Sequence, residues 1–291
     1  MKLNLLIILF CSVAHCKSQT PIHHEFIGSL QLNNGDLIPF KLNYIELDNN
    51  KIEGYSITNF FDENSTKSAI TGNFTNQRKN INFRETMNIS TKSNAAENEF
   101  CYVSVEGAKF EKLKNKITIK GSFKGQYKNG ELCAEGILSL IESNFLNNIT
   151  ANAKPKQKKG NDSLNAYLAK VNQALANVDV NHINANEHLK VNWQTSEITI
   201  EIWDALIEDE DKIQLSVNNQ LLLDGFEIKK DKKTLVIPFT SKICEIKILA
   251  NNEGLSPPNT VDFILKNQKQ SIKVVSSLKK GESTLIILEK E

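Results

Sequence analysis

Trp203-Asp204 is followed closely by Asp209-Glu210-Asp211, so three aspartates crowd one short stretch of chain. Hard divalent cations take several oxygen ligands, and acidic loops supply them, which makes Asp204, Asp209 and Asp211 candidates for structural calcium. The spacing is not that of an EF-hand, which needs acidic residues at alternate positions, a central glycine and a distal glutamate. A solvated acidic hairpin is therefore the first expectation and calcium the alternative. His182, Glu187 and His188 fit no zinc template, because a helical zinc pair wants ligands at i and i+4 and a third elsewhere. They, and the pair His23-His24, read as solvated polar residues. Glu85 stands in register with Ile81, Phe83 and Met87, so it can point inward as a ligand-reading carboxylate. A solvated edge position or a pair with a nearby lysine or arginine is the commoner fate of such a residue.

Cysteine chemistry is narrowly bounded. Beyond the leader stand Cys101, Cys133 and Cys244, and an oxidising compartment permits one bridge with one thiol left over. Cys101 and Cys133 lie on expected strands of the first module and are the expected disulfide. Cys244 shares a strand face with Ile246 and Ile248, which predicts a buried and inert thiol. No Ser/His/Asp elbow, zinc triad, P-loop or dinucleotide fingerprint occurs in the sequence. Carboxylates alone suffice for glycoside hydrolysis when two flank the scissile bond, so a carbohydrate hydrolase stands as a minor reading.

These residues need elements to hold them, and the amino terminus indicates where folding takes place. Met1-Lys2 precedes an apolar run over residues 5–10 and then a mixed stretch to Gln19, the layout of a secretory leader over residues 1–18. The run is much shorter than the roughly 20 residues needed to span a bilayer. Cleavage after Ser18 would free the chain at Gln19. Val13-Ala14-His15-Cys16 also resembles the bacterial lipobox, which implies lipidation at Cys16, although His15 departs from the small residue usual there. Either route predicts export: secreted, periplasmic, or held at the outer membrane by a lipid.

The remaining roughly 270 residues suffice for two domains. The 35 basic and 34 acidic side chains leave no global field favouring nucleic acid or an anionic membrane. Residues 20–145 keep a hydrophobic period of two: Ile38, Phe40, Leu42 and Tyr44 alternate with Pro39, Lys41 and Asn43. Gly28, Gly72, Gly121 and Gly136 each precede an apolar side chain by two residues. Repeated glycines in a meander mark bends or close backbone approach, as in a sheet coiling into a barrel. The strand rhythm, with Glu53-Gly54-Tyr55-Ser56-Ile57-Thr58 and Phe83-Arg84-Glu85-Thr86, resembles lipocalin-like barrels of exported bacterial proteins. That resemblance implies an antiparallel barrel, filled solidly or holding one small apolar ligand.

Residues 146–192 read as a connector. Lys154-Pro155-Lys156-Gln157-Lys158-Lys159-Gly160 has linker composition, and Leu164, Leu168, Val171, Leu175 and Val178 form a helical stripe capped by Asp162 or Ser163. Asp162-Ser163-Leu164 resembles the acceptor of a bacterial O-glycosylation system, which marks Ser163. Residues 193–291 return to period two at Ile198, Ile200 and Ile202, at Ile213, Leu215 and Val217, and at Cys244, Ile246 and Ile248. So many short strands predict an Ig-like β-sandwich. Trp203-Asp204, Asp209-Glu210-Asp211 and Pro257-Pro258-Asn259-Thr260 resemble a β-sandwich module at the end of many exported bacterial proteins. That pattern carries glycine where this chain has Leu206 and Glu210, so a different turn is expected.

The fold expected is mostly β: an antiparallel barrel, a short helical connector and a carboxy-terminal sandwich. The leading functional expectation is a non-enzymatic exported or envelope protein, with a small apolar ligand in the barrel or a glycan or protein on the sandwich. The alternative is a structural or assembly component of the envelope. No cofactor beyond possible calcium is implied, no nucleic-acid partner is expected, and membrane contact would come only through a lipid on Cys16.

Overall fold

The computed structural model describes residues 22–60, 64–113, 116–143, 179–205 and 207–290. The expected leader with Cys16, the lysine-rich stretch, the amphipathic helix and Ser163 lie outside the described residues.

The chain is mostly β, as its period-two patterning predicts. The first eight strands are β1 (His23–Leu32), β2 (Leu37–Glu46), β3 (Lys51–Thr58), β4 (Thr66–Thr75), β5 (Asn80–Thr91), β6 (Tyr102–Leu113), β7 (Lys116–Gln126) and β8 (Leu132–Glu142). Each pairs antiparallel with its neighbour in sequence, and β8 pairs back onto β1, so the meander closes into a barrel. The alternation places Phe26, Phe40, Leu42, Phe83, Phe123 and Leu138 in one buried cluster. Closure demands tight strand approach, and Gly136 provides it: a β-carbon there would lie 1.9 Å from the Gln31 carbonyl oxygen.

Ten more strands follow: β9 (Asn181–Asn184), β10 (His188–Asn192), β11 (Glu197–Trp203), β12 (Lys212–Val217), β13 (Gln220–Glu227), β14 (Lys233–Pro238), β15 (Ile243–Ala250), β16 (Asn259–Lys266), β17 (Ser271–Leu278) and β18 (Ser283–Glu289). One layer runs β13-β12-β15-β18-β10 and the other β14-β11-β16-β17-β9. Their inward faces share a core that includes Ile200, Leu215, Ile246, Phe263, Val274 and Ile286. The expected connector runs to residue 192, whereas β9 and β10 already belong to the sandwich. They pair parallel with β17 and β18, a contribution that two short strands separated by a turn do not announce in sequence.

The barrel and the first sandwich layer share one continuous sheet. β5 pairs with β6 only over Asn80–Arg84, while its far end pairs with β10 through Ser90↔Val191 and Thr91↔Lys190. Two irregularities in the β4–β5 register, at Lys67/Ser68 and Ala69/Ile70, bend β5 out of the barrel wall toward the sandwich. An ion pair between Lys92 Nζ and Glu187 Oε2 at 3.0 Å reinforces the seam.

Candidate functional site

Because β5 leaves the wall, β5 and β6 part just beyond Arg84, and a cavity of about 260 Å³ occupies the barrel at that end. Several strands supply its polar and apolar lining. From β4 and β5 come Thr66, Ser68, Glu85 and Asn88; from other strands come Leu30, Leu32, Val103 and Phe123. Residues Ser93, Ala95, Glu99, Phe100 and Cys101 of the β5–β6 connection line it as well, as do Ile38, Thr58, Asn59, Asn64 and Ala134.

Glu85 is buried inside the barrel, which corrects the expectation of a solvated or ion-paired edge residue. Its Oε2 accepts the Val103 backbone N–H at 2.7 Å, and its Oε1 accepts the Ser56 hydroxyl. The side chain thus replaces the missing β5–β6 ladder with a carboxylate bridge. Burial pushes its pKa up to about 7, and the hydrogen bonds from Ser56 and Val103 restrain that rise. Glu85 is therefore a carboxyl that changes charge near neutral pH.

Asn88 shares the cavity and is 8 % exposed. Its Oδ1 accepts the Ser68 hydroxyl at 3.2 Å, but its Nδ2 is buried with no hydrogen-bond partner. An unpaired buried donor costs roughly 1–3 kcal/mol. Sequence reasoning missed Ser56, Ser68 and Asn88. The register slips in β5 turn Asn88 inward, out of step with the Ile81-Phe83-Glu85 alternation.

The disulfide joins Cys101 and Cys133 as expected, with Cα atoms 6.0 Å apart, and ties the cavity rim to β8. Cys244 is a buried free cysteine in the sandwich core, and burial, followed by the charge of Glu245, pushes its thiol up to about 11. That leaves little nucleophilic thiolate.

Asp204, Asp209 and Asp211 are not a solvated hairpin: they are 3, 5 and 3 % exposed. Asp209 Oδ2 accepts the Ser256 N–H at 2.8 Å and Asp211 Oδ2 the Thr260 N–H at 2.9 Å, so both brace the Pro257-Pro258-Asn259-Thr260 loop. Among the described residues, no group of three or more His, Cys, Asp or Glu side chains is arranged to hold a metal ion. Glu210 adopts φ +70°, the left-handed conformation most open to glycine.

His182 and His188 sit on β9 and β10 rather than in a loop, with Glu187 committed to Lys92. A further cluster lay hidden in the alternation of β2. Lys41 points out of the barrel yet is 1 % exposed; its Nζ lies 2.6 Å from Asp179 Oδ2 and 2.8 Å from Glu25 Oε2. Tyr55 donates to Asp179 Oδ1 at 2.8 Å. Burial opposes the Asp179 carboxylate, but Lys41, Tyr55 and Lys67 together hold it below the usual range. This network fastens the chain leading into β9 to the outer barrel wall.

Comparison with protein-family models, curated proteins and solved structures finds no match to this chain.

Proposed function

We propose that this protein is an exported, non-enzymatic binding protein whose barrel takes a small, mostly apolar ligand bearing a hydrogen-bond acceptor such as a carbonyl oxygen. One observation carries the reading: Asn88, whose Nδ2 is buried and unpartnered, lines a cavity of about 260 Å³ that Leu30, Leu32, Val103 and Phe123 also line. Binding sites combine an apolar body with a few placed polar groups, and an unmet donor is a group a ligand can satisfy. The cavity lies below the roughly 300–1,000 Å³ of sites for drug-sized molecules, so the ligand is small. Glu85 bridges β6 through the Val103 N–H and β3 through the Ser56 hydroxyl, and holds the cavity open beside the split. A carboxylate engaged at both oxygens by Ser56 and Val103 is poorly placed for glycoside hydrolysis. The lipocalin-like strand rhythm supports the same reading, and the leader supports export, either free from Gln19 or lipidated at Cys16.

The purified mature protein is screened by thermal shift against short-chain carbonyl compounds, fatty acids and oligosaccharides. A ligand at a hundredfold excess over its Kd stabilises by about 2.7 kcal/mol, a rise of roughly 5–10 °C. A screen without any such rise turns the account toward an envelope component working by protein contacts alone.

A further inference from the structure

Burying aspartates is costly unless a cation or a full set of donors neutralises them. Asp211 has one such donor and no more: Oδ2 takes the Thr260 N–H, while Oδ1 is buried with no hydrogen-bond partner. The charges it feels are those of Asp209, Asp204 and Glu253, all acidic. Gly254 packs directly against Asp211 Oδ1 and the Asp209 carboxyl. A β-carbon built on Gly254 would lie 2.7 Å from Asp211 Oδ1 and 2.9 Å from Asp209 Cγ. Gly254 has φ +58° and, being glycine, puts no side chain against Asp211 Oδ1.

A second, uncharged acceptor is left over in the same loops. Asn259 is fully buried, and its Nδ2 donates to the Lys212 and Asn252 carbonyls at 3.1 Å each. Those bonds fix the amide, and its Oδ1 has no partner. Asn251 Oδ1 nearby in sequence is likewise buried and unpartnered. The unfilled Asp211 carboxylate oxygen and the unfilled Asn251 and Asn259 amide oxygens, with no sulfur or imidazole among them, match the ligand preference of a hard cation.

We infer that the loops preceding β12 and β16 bind a calcium ion beside Gly254, with Asp209 and Asp211 as carboxylate ligands and a side-chain amide oxygen completing the set. Two carboxylates with amide oxygens, rather than three carboxylates, make up the site. Asp204 and Glu253 add negative charge around it. The ion pins the 251–260 loop, which leads into β16, to the start of β12 in the other layer.

Terbium tests this directly, since it occupies calcium sites and is excited through a nearby indole, and Trp203 adjoins Asp204. The full mature chain is titrated with terbium under tryptophan excitation and then with calcium, and its melting temperature is read in EDTA, calcium and magnesium. The expected result is sensitised terbium emission, lost on adding calcium in the roughly 0.1–1 mM range of extracellular calcium modules. Calcium at a hundredfold excess over its Kd raises the melting temperature by about 5–10 °C, more than magnesium does. Asp211→Asn melts no lower than wild type in EDTA and loses the calcium response. The proposal is overturned if calcium up to about 10 mM, well beyond that range, neither displaces terbium nor raises the melting temperature of the wild-type chain. A full calcium response in a folded Asp211→Asn protein overturns it equally. Should that variant fail to fold, the wild-type terbium and calcium titrations decide alone.

Discussion

Glu85→Gln isolates the energy of the buried carboxyl through its pH dependence. In the unfolded chain this carboxyl titrates near 4.5, and in the barrel it titrates near 7. Below the lower value both states hold the proton, so the group leaves stability unchanged. Between the two values only the folded state keeps the proton, so stability falls as pH rises, and above 7 the full cost applies. A lift of about 2.5 pH units corresponds to roughly 3 kcal/mol. Glutamine carries no charge at any pH, its carbonyl oxygen can accept the Val103 N–H, and its amide can donate to Ser56, whose hydroxyl accepts as readily as it donates. Urea unfolding followed by circular dichroism at pH 4.5 and pH 8 measures the difference between the two proteins, from which every other titrating group cancels. The variant should match wild type within about 1 kcal/mol at the lower pH and exceed it by roughly 2–3 kcal/mol at the higher. An equal difference at both pH values would refute a buried, neutral-pH carboxyl.

Three other perturbations follow from the fold. Replacing Cys101 and Cys133 together by serine opens a loop of sequence separation 32 and should cost about 3–4 kcal/mol, read as a lower urea midpoint under non-reducing conditions. Gly136→Ala forces a methyl against the Gln31 carbonyl and should lower stability by roughly 2–3 kcal/mol, a loss that calorimetry would show. Glu210→Gly releases a left-handed glutamate and should stabilise by about 0.5–1 kcal/mol after the entropy of the added glycine is set against it; a lower melting temperature would mean that the glutamate side chain contributes more than its backbone strain.

Much of the architecture is legible in the sequence because burial of one strand face imposes period two. Ile38, Phe40, Leu42 and Tyr44 report β2, and Ile198, Ile200 and Ile202 report β11, since each must point its apolar set at a core. The cysteine pair was legible for a related reason, as both residues flank strands of one small barrel. Pairing and register were not legible. Asn88 turns inward through slips in the β4–β5 register, which no local pattern records. Lys41 occupies a nominally solvent-facing position and is buried by an ionic cluster with residues far away in sequence. Asp209 and Asp211 read as a hydrated turn because their partners, the Ser256 and Thr260 N–H groups, arrive from a loop more than forty residues on. β9 and β10 are too short to declare themselves and gain strand character from β17, β18 and β5.

The measurement closest to the central claim compares wild type with Asn88→Leu against whichever small ligand raises the wild-type melting temperature most. Leucine preserves the bulk of the side chain; it removes an unpartnered donor and also the Oδ1 that accepts from Ser68, two effects of opposite sign, so the free variant should stay within about 1 kcal/mol of wild type. The same ligand should lose at least roughly tenfold in affinity by calorimetric titration, about 1.4 kcal/mol for the lost hydrogen bond. In protein labelled with ¹⁵N at asparagine, the Asn88 side-chain amide signal should shift on saturation with ligand. Unchanged affinity in Asn88→Leu, together with an unmoved Asn88 amide signal, would contradict a ligand seated in the barrel cavity.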